Sequence, residues 1–472
     1  MATNFLDRSH SIAGPGFSRW LVPPAALCIH LCIGEAYAFS VFNKPLAQLL
    51  CAAQSACPPA AAKVVSTTPG DWTIPALGWI FSVAIVVLGL SAALFGRWVE
   101  RVGPRTSMFV AALCFAAGFF VSALGVSAHQ LWLIYLGYGV IGGIGLGIGY
   151  ISPVSTLIKW FPDRPGMATG LAIMGFGGGA LVAAPLSVAL MDHFKTATSN
   201  GVLQAFIVMG IVYFIYMSIG AIAVRVPADG WKPAGWVAPI KPVKLVTTGN
   251  VDVNTAFGTR QFWLLWGVLC MNVTAGIGVL SQASPMIQEM FTGRVSAAAG
   301  ASFVGLLSLF NMAGRIFWAS TSDYIGRRNT YMVFFLLGIV LYFSVPTIGR
   351  LGSIPAFVIA FGVILSMYGG GFATIPAYLR DMFGTMHVGA IHGRLLTAWS
   401  AAGVLGPMLV NYIRQSQIEH GVPKAQAYSV TMYIMCALLF IGFLCNLLMR
   451  PVDSRYHFKA DAAPAGAQRS AP

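Results

Sequence analysis

Apolar residues gather along this chain in runs of helical length, separated by short polar breaks. About 20 apolar residues cross the roughly 30 Å hydrocarbon core of a bilayer, and spans of that kind read at about 19–42, 73–95, 105–126, 130–156, 168–191 and 203–224. A second set reads at about 261–290, 297–320, 330–349, 354–378, 392–413 and 426–448. The pattern predicts an all-α polytopic membrane protein with twelve transmembrane helices in two six-helix pseudo-repeats. Its expected divisions are an N-terminal segment (1–18), a first six-helix bundle (19–224), a polar linker rich in Pro, Gly, Thr and Lys (225–260), a second bundle (261–450) and a disordered Ala/Pro-rich tail (451–472).

Composition supports the pattern. Of 472 residues, 57% are hydrophobic and 9% charged, with mean hydropathy +0.76, more apolar sequence than a soluble core hides. A formal charge of +14 in a soluble chain suggests nucleic acid, but no basic stripe with interleaved aromatics is present, so none is expected. The cations instead set topology. With the N-terminus in the cytoplasm, outer loops hold only Lys44, Lys63, Lys195, Arg294, Arg350, Arg414 and Lys424, leaving most of the 28 Lys and Arg inside. Both termini are therefore expected in the cytoplasm, in an inner or plasma membrane. The first eighteen residues, with Asp7, Arg8 and His10, are polar and mixed, so the first apolar run reads as a retained span. No Cys/His spacing resembles a metal site and no motif calls for a cofactor or an enzyme. Cys51 and Cys57 stand six apart in the long first outer loop, as a disulfide or as two free thiols.

One ionisable residue stands out. Arg315 lies in an apolar segment about 12 Å, at 1.5 Å per residue, from Asp323 at the span's polar end. A charge so deep costs about 2.5–3.5 kcal/mol to insert, so it faces a polar cavity and a partner. Glu35, well inside the first span, is a second such residue, able to carry a proton or to pair with Arg315. His30 lies on the same span and reads as a packing histidine, while His387 and His392 read as loop residues before span eleven. Gly142–Gly149 and Gly175–Gly179 allow close helix approach.

The halves repeat. Gly96-Arg-Trp-Val-Glu-Arg-Val-Gly-Pro-Arg105 matches Ala319-Ser-Thr-Ser-Asp-Tyr-Ile-Gly-Arg-Arg328 at a shift of 223 residues, which also takes Gly170 to Gly393; a shift of 222 takes Pro185 to Pro407. Like-oriented repeats of this kind build transporters around an axis along the membrane normal. The two loops resemble the G-x-x-x-D-[RK]-x-G-[RK]-[RK] signature of the major facilitator superfamily, with Glu100 as the acid of the first copy, Pro104 interrupting its basic pair and Ala319 replacing the second copy's glycine. The resemblance implies gating by Glu100, Arg101, Arg105, Asp323, Arg327 and Arg328, which place a carboxylate and cations at adjoining helix ends.

Finer features are similar to the oxalate/formate antiporter family and its monocarboxylate-transporting relatives: Gly34-x-x-Tyr37-x-x-Ser-Val-Phe42-x-x-Pro45, Lys159-Trp-Phe-Pro162 with Gly166 and Gly170, and Asn311-x-x-Gly314-Arg315 with Ser322-Asp323. The resemblance implies that Arg315 pairs with a substrate carboxylate and that Tyr37, Tyr150, Tyr368 and Phe372 close over it. Where the oxalate antiporter pattern has a lysine in span eleven, this chain has Trp399, leaving one central cation; that favours a small monocarboxylate (lactate, pyruvate or formate) over a dianion. Where the animal-type carriers have a proton-taking Asp, this chain has Asn311, so Glu35 is the candidate proton carrier. The partners implied are a small carboxylate anion, a proton or counter-anion and the lipid bilayer, with a monomer expected. The rival mechanism is carboxylate/carboxylate exchange of the oxalate/formate type; a rival of another class is a non-transporting membrane carboxylate sensor, for which neither linker nor tail supplies a signalling domain.

Overall fold

A computed structural model describes residues 5–53, 70–236, 245–247 and 249–458; Cys57 and the side chain of Cys51 lie outside the described residues. Twelve helices among them are long and apolar enough to cross a membrane. They are α1 (Arg19–Leu46), α2 (Ile74–Val102), α3 (Pro104–Ser127), α4 (Leu131–Trp160), α5 (Pro165–Phe194), α6 (Val202–Ala223), α7 (Arg260–Met290), α8 (Ala297–Ile325), α9 (Arg327–Arg350), α10 (Ile354–Phe383), α11 (Val388–Glu419) and α12 (Ser429–Leu447). Most outrun the apolar runs that predict them, because a hydrogen-bonded helix continues past the hydrocarbon until a breaker stops it. Gly103 (φ 85°), Gly326 (φ 87°) and Gly384 (φ 84°) are three such stops, in conformations that a side chain resists. Gly103 and Gly326 are repeat mates, so the same turn reverses the chain after α2 and after α8.

The two halves meet along α5 against α8 and α10, and along α2 and α4 against α11. Both contacts are close near the end of the molecule that carries the N-terminal segment and the linker, called here the terminal end. A Cβ on Gly166 of α5 would stand 2.2 Å from the Ala319 carbonyl oxygen of α8, and one on Gly393 of α11 would stand 2.2 Å from the Ala92 carbonyl oxygen of α2. Only glycine lets the backbones approach so far.

Two spans depart from regular α-helix at mid-depth. Gly34–Phe42 of α1 winds as a 3₁₀ helix and Tyr135–Gly142 of α4 as a π-helix. Such segments are uncommon and concentrate at functional sites. Around the terminal end the N-terminal segment and the linker clasp the first half: Ala13 N–H donates to the Val226 carbonyl (2.9 Å) and Val226 N–H to the Ser11 carbonyl (2.8 Å), and Trp231 packs edge-on against Trp160.

Candidate functional site

Each helix that borders the midplane contributes from a similar depth. Arg315, Phe176, Trp399, Tyr150 and Phe372 all lie roughly 15–17 Å from the terminal end of their own helices, at about 1.5 Å per residue. They form one layer between the halves. Arg315 is fully buried, its guanidinium carbon 5.7 Å from the Phe176 ring centroid and 5.4 Å from that of Phe372, so one aromatic face comes from each half. The Trp399 ring lies 4.5 Å from Phe372, 5.2 Å from Phe176 and 5.3 Å from Tyr150. One turn further from the terminal end, the Tyr37 hydroxyl shares a 2.8 Å hydrogen bond with that of Tyr368, from α1 to α10 across the two halves. Tyr37 is the one member of this cage that is not fully buried.

Arg315 has a positioning shell but no acidic partner among the described residues. Its Nε donates to Asn311 Oδ1 (3.1 Å) and its Nη1 to the Ile173 carbonyl (3.2 Å). Asn311 thus acts as an aiming group from one turn away on α8. Close packing backs it: a Cβ on Gly369 would stand 2.2 Å from the Asn311 carbonyl, and one on Gly177 would stand 2.8 Å from Arg315 Nε. Arg315 Nη2, the Tyr150 hydroxyl and Trp399 Nε1 are buried without a hydrogen-bond partner among the described residues. Tyr37 and Tyr150 lie within electrostatic reach of the guanidinium, yet Tyr150 does not complete a hydrogen bond to it. Three unpaired donors within an aromatic cage match the lone pairs of a carboxylate.

Glu35 sits apart from this layer. Its Oε2 accepts a 2.7 Å hydrogen bond from Tyr138 of the π-helical turn, and its Oε1 has no partner among the described residues. An ion pair with Arg315, one alternative open from sequence, is not formed; Glu35 faces the interior of the first half beside Tyr138 and Tyr213. The irregular turns of α1 and α4 bring Glu35 and Tyr138 together.

The signature loops form two carboxylate-to-helix contacts between the halves. Asp323 of α8 accepts from the Gly166 and Met167 N–H groups at the start of α5, both at 2.8 Å. Glu100 of α2 accepts through Oε1 from the Gly389 (2.8 Å) and Ala390 (3.2 Å) N–H groups at the start of α11. A carboxylate on unpaired N–H groups at a helix N-terminus is a favourable arrangement. Arg327 adds ion pairs to Asp323 (2.6 Å) and Asp381 (3.2 Å) and a hydrogen bond to Ser322. The other basic residues of the two signatures point elsewhere. Arg105 donates to the carbonyls of Phe5 (3.0 Å) and Ile222 (3.5 Å), Arg328 to that of Leu447 (2.7 Å), and Arg101 is exposed. Arg105 and Arg328 tie segments within one half and Arg101 faces solvent, whereas Glu100 and Asp323 bridge the halves and Arg327 backs Asp323.

Three further residues belong to the site. Phe176, which the sequence reading missed, is the repeat mate of Trp399 at the shift of 223, a signal that could have found it. His392 is buried within α11, its ring 5.9 Å from that of Tyr150, not in a loop; the helix starts at Val388, four residues before the apolar run does. His30, fully buried on α1, has its ring 5.3 Å from that of Tyr150. His387, by contrast, does lie at the start of α11, 3.5 Å from Asp252. Arg394 is tied to the linker through the Val253 carbonyl (3.1 Å) and Asn254 (2.7 Å) and does not replace the missing lysine.

Two like-oriented six-helix halves, latched at one end around a buried arginine, define a membrane transporter. The sequence profile described as Major Facilitator Superfamily matches residues 25–407 and 295–470, and the chain belongs to that superfamily. It is 28% identical over 336 residues to the oxalate:formate antiporter of Oxalobacter formigenes, covering 71% of this chain and 75% of that protein. It is 24% identical to apicoplast pyruvate carrier 1 of Toxoplasma gondii, covering 80% of this chain and 76% of that one. Among solved structures, the proton:xylose symporter XylE superposes with a TM-score of 0.64 over 94% of this chain and 96% of that chain at 16% identity, a likeness of fold.

Proposed function

We propose that this chain is a secondary active transporter of a small monocarboxylate, of the size of lactate, pyruvate or formate, working by alternating access. One observation carries the reading: among the described residues, Arg315, buried where the halves meet, holds an unpaired Nη2 beside the unpaired donors of Tyr150 and Trp399, with no acidic residue against it. The carboxylate takes the guanidinium, Asn311 aims it, and Phe176, Phe372, Tyr37 and Tyr368 wall the anion off. A single central cation suits a single negative charge, and the likeness to a pyruvate carrier supports the same size of substrate. The terminal end, with its basic residues, is the cytoplasmic face. The form described is latched there, and the Tyr37–Tyr368 bond is the outer lid. Release follows when Glu100 and Asp323 leave the helix starts they hold and the halves rock about the midplane.

The test is uptake by the purified protein in proteoliposomes across a panel from formate to oxalate, with Arg315→Lys beside the wild type. The variant keeps the charge and loses the planar fork, and uptake of every accepted acid should fall about 100-fold; retained affinity would make Arg315 structural. Glu35, buried with one free oxygen beside an irregular turn, is the proton carrier in this reading. Glu35→Gln should then abolish accumulation driven by a pH gradient while sparing exchange of one carboxylate for another. The likeness to an oxalate:formate antiporter supports exchange as the alternative; proton-driven uptake that ignores internal carboxylate would sink that alternative, and accumulation that survives Glu35→Gln would remove Glu35 from the mechanism.

A further inference from the structure

Five buried polar side chains without a hydrogen-bond partner among the described residues crowd around one residue, Tyr150: Arg315 through Nη2, Trp399 through Nε1, the Tyr150 hydroxyl itself, and both nitrogens of His30 and His392. The carboxylate reading uses the first three. It leaves the two imidazoles, which are 0% and 1% exposed and come from α1 and α11, hence from opposite halves. Their rings lie 5.3 and 5.9 Å from that of Tyr150. His30 also lies close to Arg315 and approaches the Tyr150 carbonyl, but neither of its nitrogens completes a hydrogen bond. A histidine that merely packs keeps at least one ring nitrogen bonded, as nearly all buried polar groups do.

We propose that His30 and His392, with the Tyr150 hydroxyl, form a second polar subsite that reads a hydroxyl group on the carbon next to the carboxylate, so that the protein prefers short 2-hydroxy acids to unsubstituted acids of the same length. This rests on Arg315 as the carboxylate anchor. The reason lies in donor and acceptor inventory. A carboxylate only accepts, and it satisfies Arg315, Trp399 and Tyr150. A neutral imidazole presents one donor and one bare acceptor nitrogen, and that nitrogen is satisfied only by a ligand that donates. A hydroxyl both donates and accepts, so it pairs with an imidazole nitrogen and with Tyr150 together. Formate, acetate or propionate leaves the rings unpaired, which is the situation that gives polar sites their strongest discrimination. Because the two rings belong to different halves, the hydroxyl also bridges the interface that must close around the substrate.

The experiment measures binding to the purified full-length chain, by thermal stabilisation and tryptophan fluorescence, with three probes of one carbon skeleton: 2-hydroxypropionate, 2-oxopropionate and propionate. The wild type should bind 2-hydroxypropionate about tenfold or more tighter than either other acid. His30→Leu and His392→Leu should each bring that ratio close to unity by weakening 2-hydroxypropionate alone, and His30→Gln, which keeps a donor and an acceptor, should restore part of it. Equal binding of propionate and 2-hydroxypropionate by the wild type overturns the proposal, whether or not the variants fold. A preference that survives in both leucine variants overturns the assignment to these histidines. If no acid of the three binds, the carboxylate reading itself falls; if all bind equally and Arg315→Lys abolishes binding, only the hydroxyl subsite does.

Discussion

The two interfaces that join the halves share a design and differ in strength. At both, an acidic side chain on one half takes the free N–H groups at a helix start on the other: Asp323 on α5, Glu100 on α11. At the α5–α8 interface both carboxylate oxygens are used and Arg327 stands behind them, itself held by Asp381. At the α2–α11 interface only one oxygen is used, Pro104 stands at the repeat mate of Arg327, and Lys159 is near enough to be felt without a direct ion pair among the described residues. The same asymmetry continues to the midplane, where Arg315 of α8 corresponds at the repeat shift to Ala92 of α2. One interface carries the charge, the other complements it with Trp399 and with Ser400, whose hydroxyl donates to the Ile85 carbonyl (3.1 Å). Both interfaces set a carboxylate on a helix start, and only the one at α5 and α8 adds an ion pair, on the helix that carries Arg315.

If that difference matters, the two latches respond unequally to damage. Asp323→Ala leaves the buried Arg327 with Asp381 as its remaining acid and frees two N–H groups at the start of α5, and each unpaired buried donor carries a desolvation penalty. Proteoliposome uptake should drop about tenfold or more. Glu100→Gln keeps an acceptor oxygen at the start of α11 and should cost about threefold. Equal losses would mean that the arginine behind Asp323 adds nothing.

A gain is also expected. Pro104→Arg places a cation behind Glu100 as Arg327 stands behind Asp323, and it should hold the terminal end shut for longer, slowing turnover by about twofold with substrate affinity kept. Faster turnover would show that the first latch is not limiting.

The smallest effect concerns a tie within the first half that neither latch shares. Asp163, in the turn between α4 and α5, binds Arg19 through two hydrogen bonds of 2.6 and 3.0 Å. Burial pushes its carboxyl up, but the Arg19 hydrogen bond, its own backbone and the charges of Arg19 and Arg164 outweigh that and hold it below its ordinary value. A depressed carboxylate contributes stability above its unfolded value and loses it as pH falls through the folded one. The tie should therefore be constant from pH 5 to 8 and fade progressively once the pH falls below about 4. Melting curves of wild type and Asp163→Asn should differ slightly at neutral pH and converge in acid; a difference that persists in acid would assign the effect to packing.

Hydropathy alone placed all twelve helices, and the repeat shift alone paired Gly103 with Gly326 and Glu100 with Asp323. The cost of burying a charge singled out Arg315, because that cost depends on the residue type and its depth, both of which can be read along the line of the chain. Orientation around each helix could not be read that way. Only packing showed that Glu35 turns to Tyr138 rather than to Arg315, that Arg105 and Arg328 bond to carbonyls within their own halves while Arg327 pairs with Asp323, and that His392 lies inside α11 beside Tyr150. Those outcomes depend on where an irregular turn rotates a face, where a glycine lets two backbones meet, and which of several reachable partners lies nearest. They are properties of faces brought together from distant parts of the chain, and no local pattern of residues specifies them.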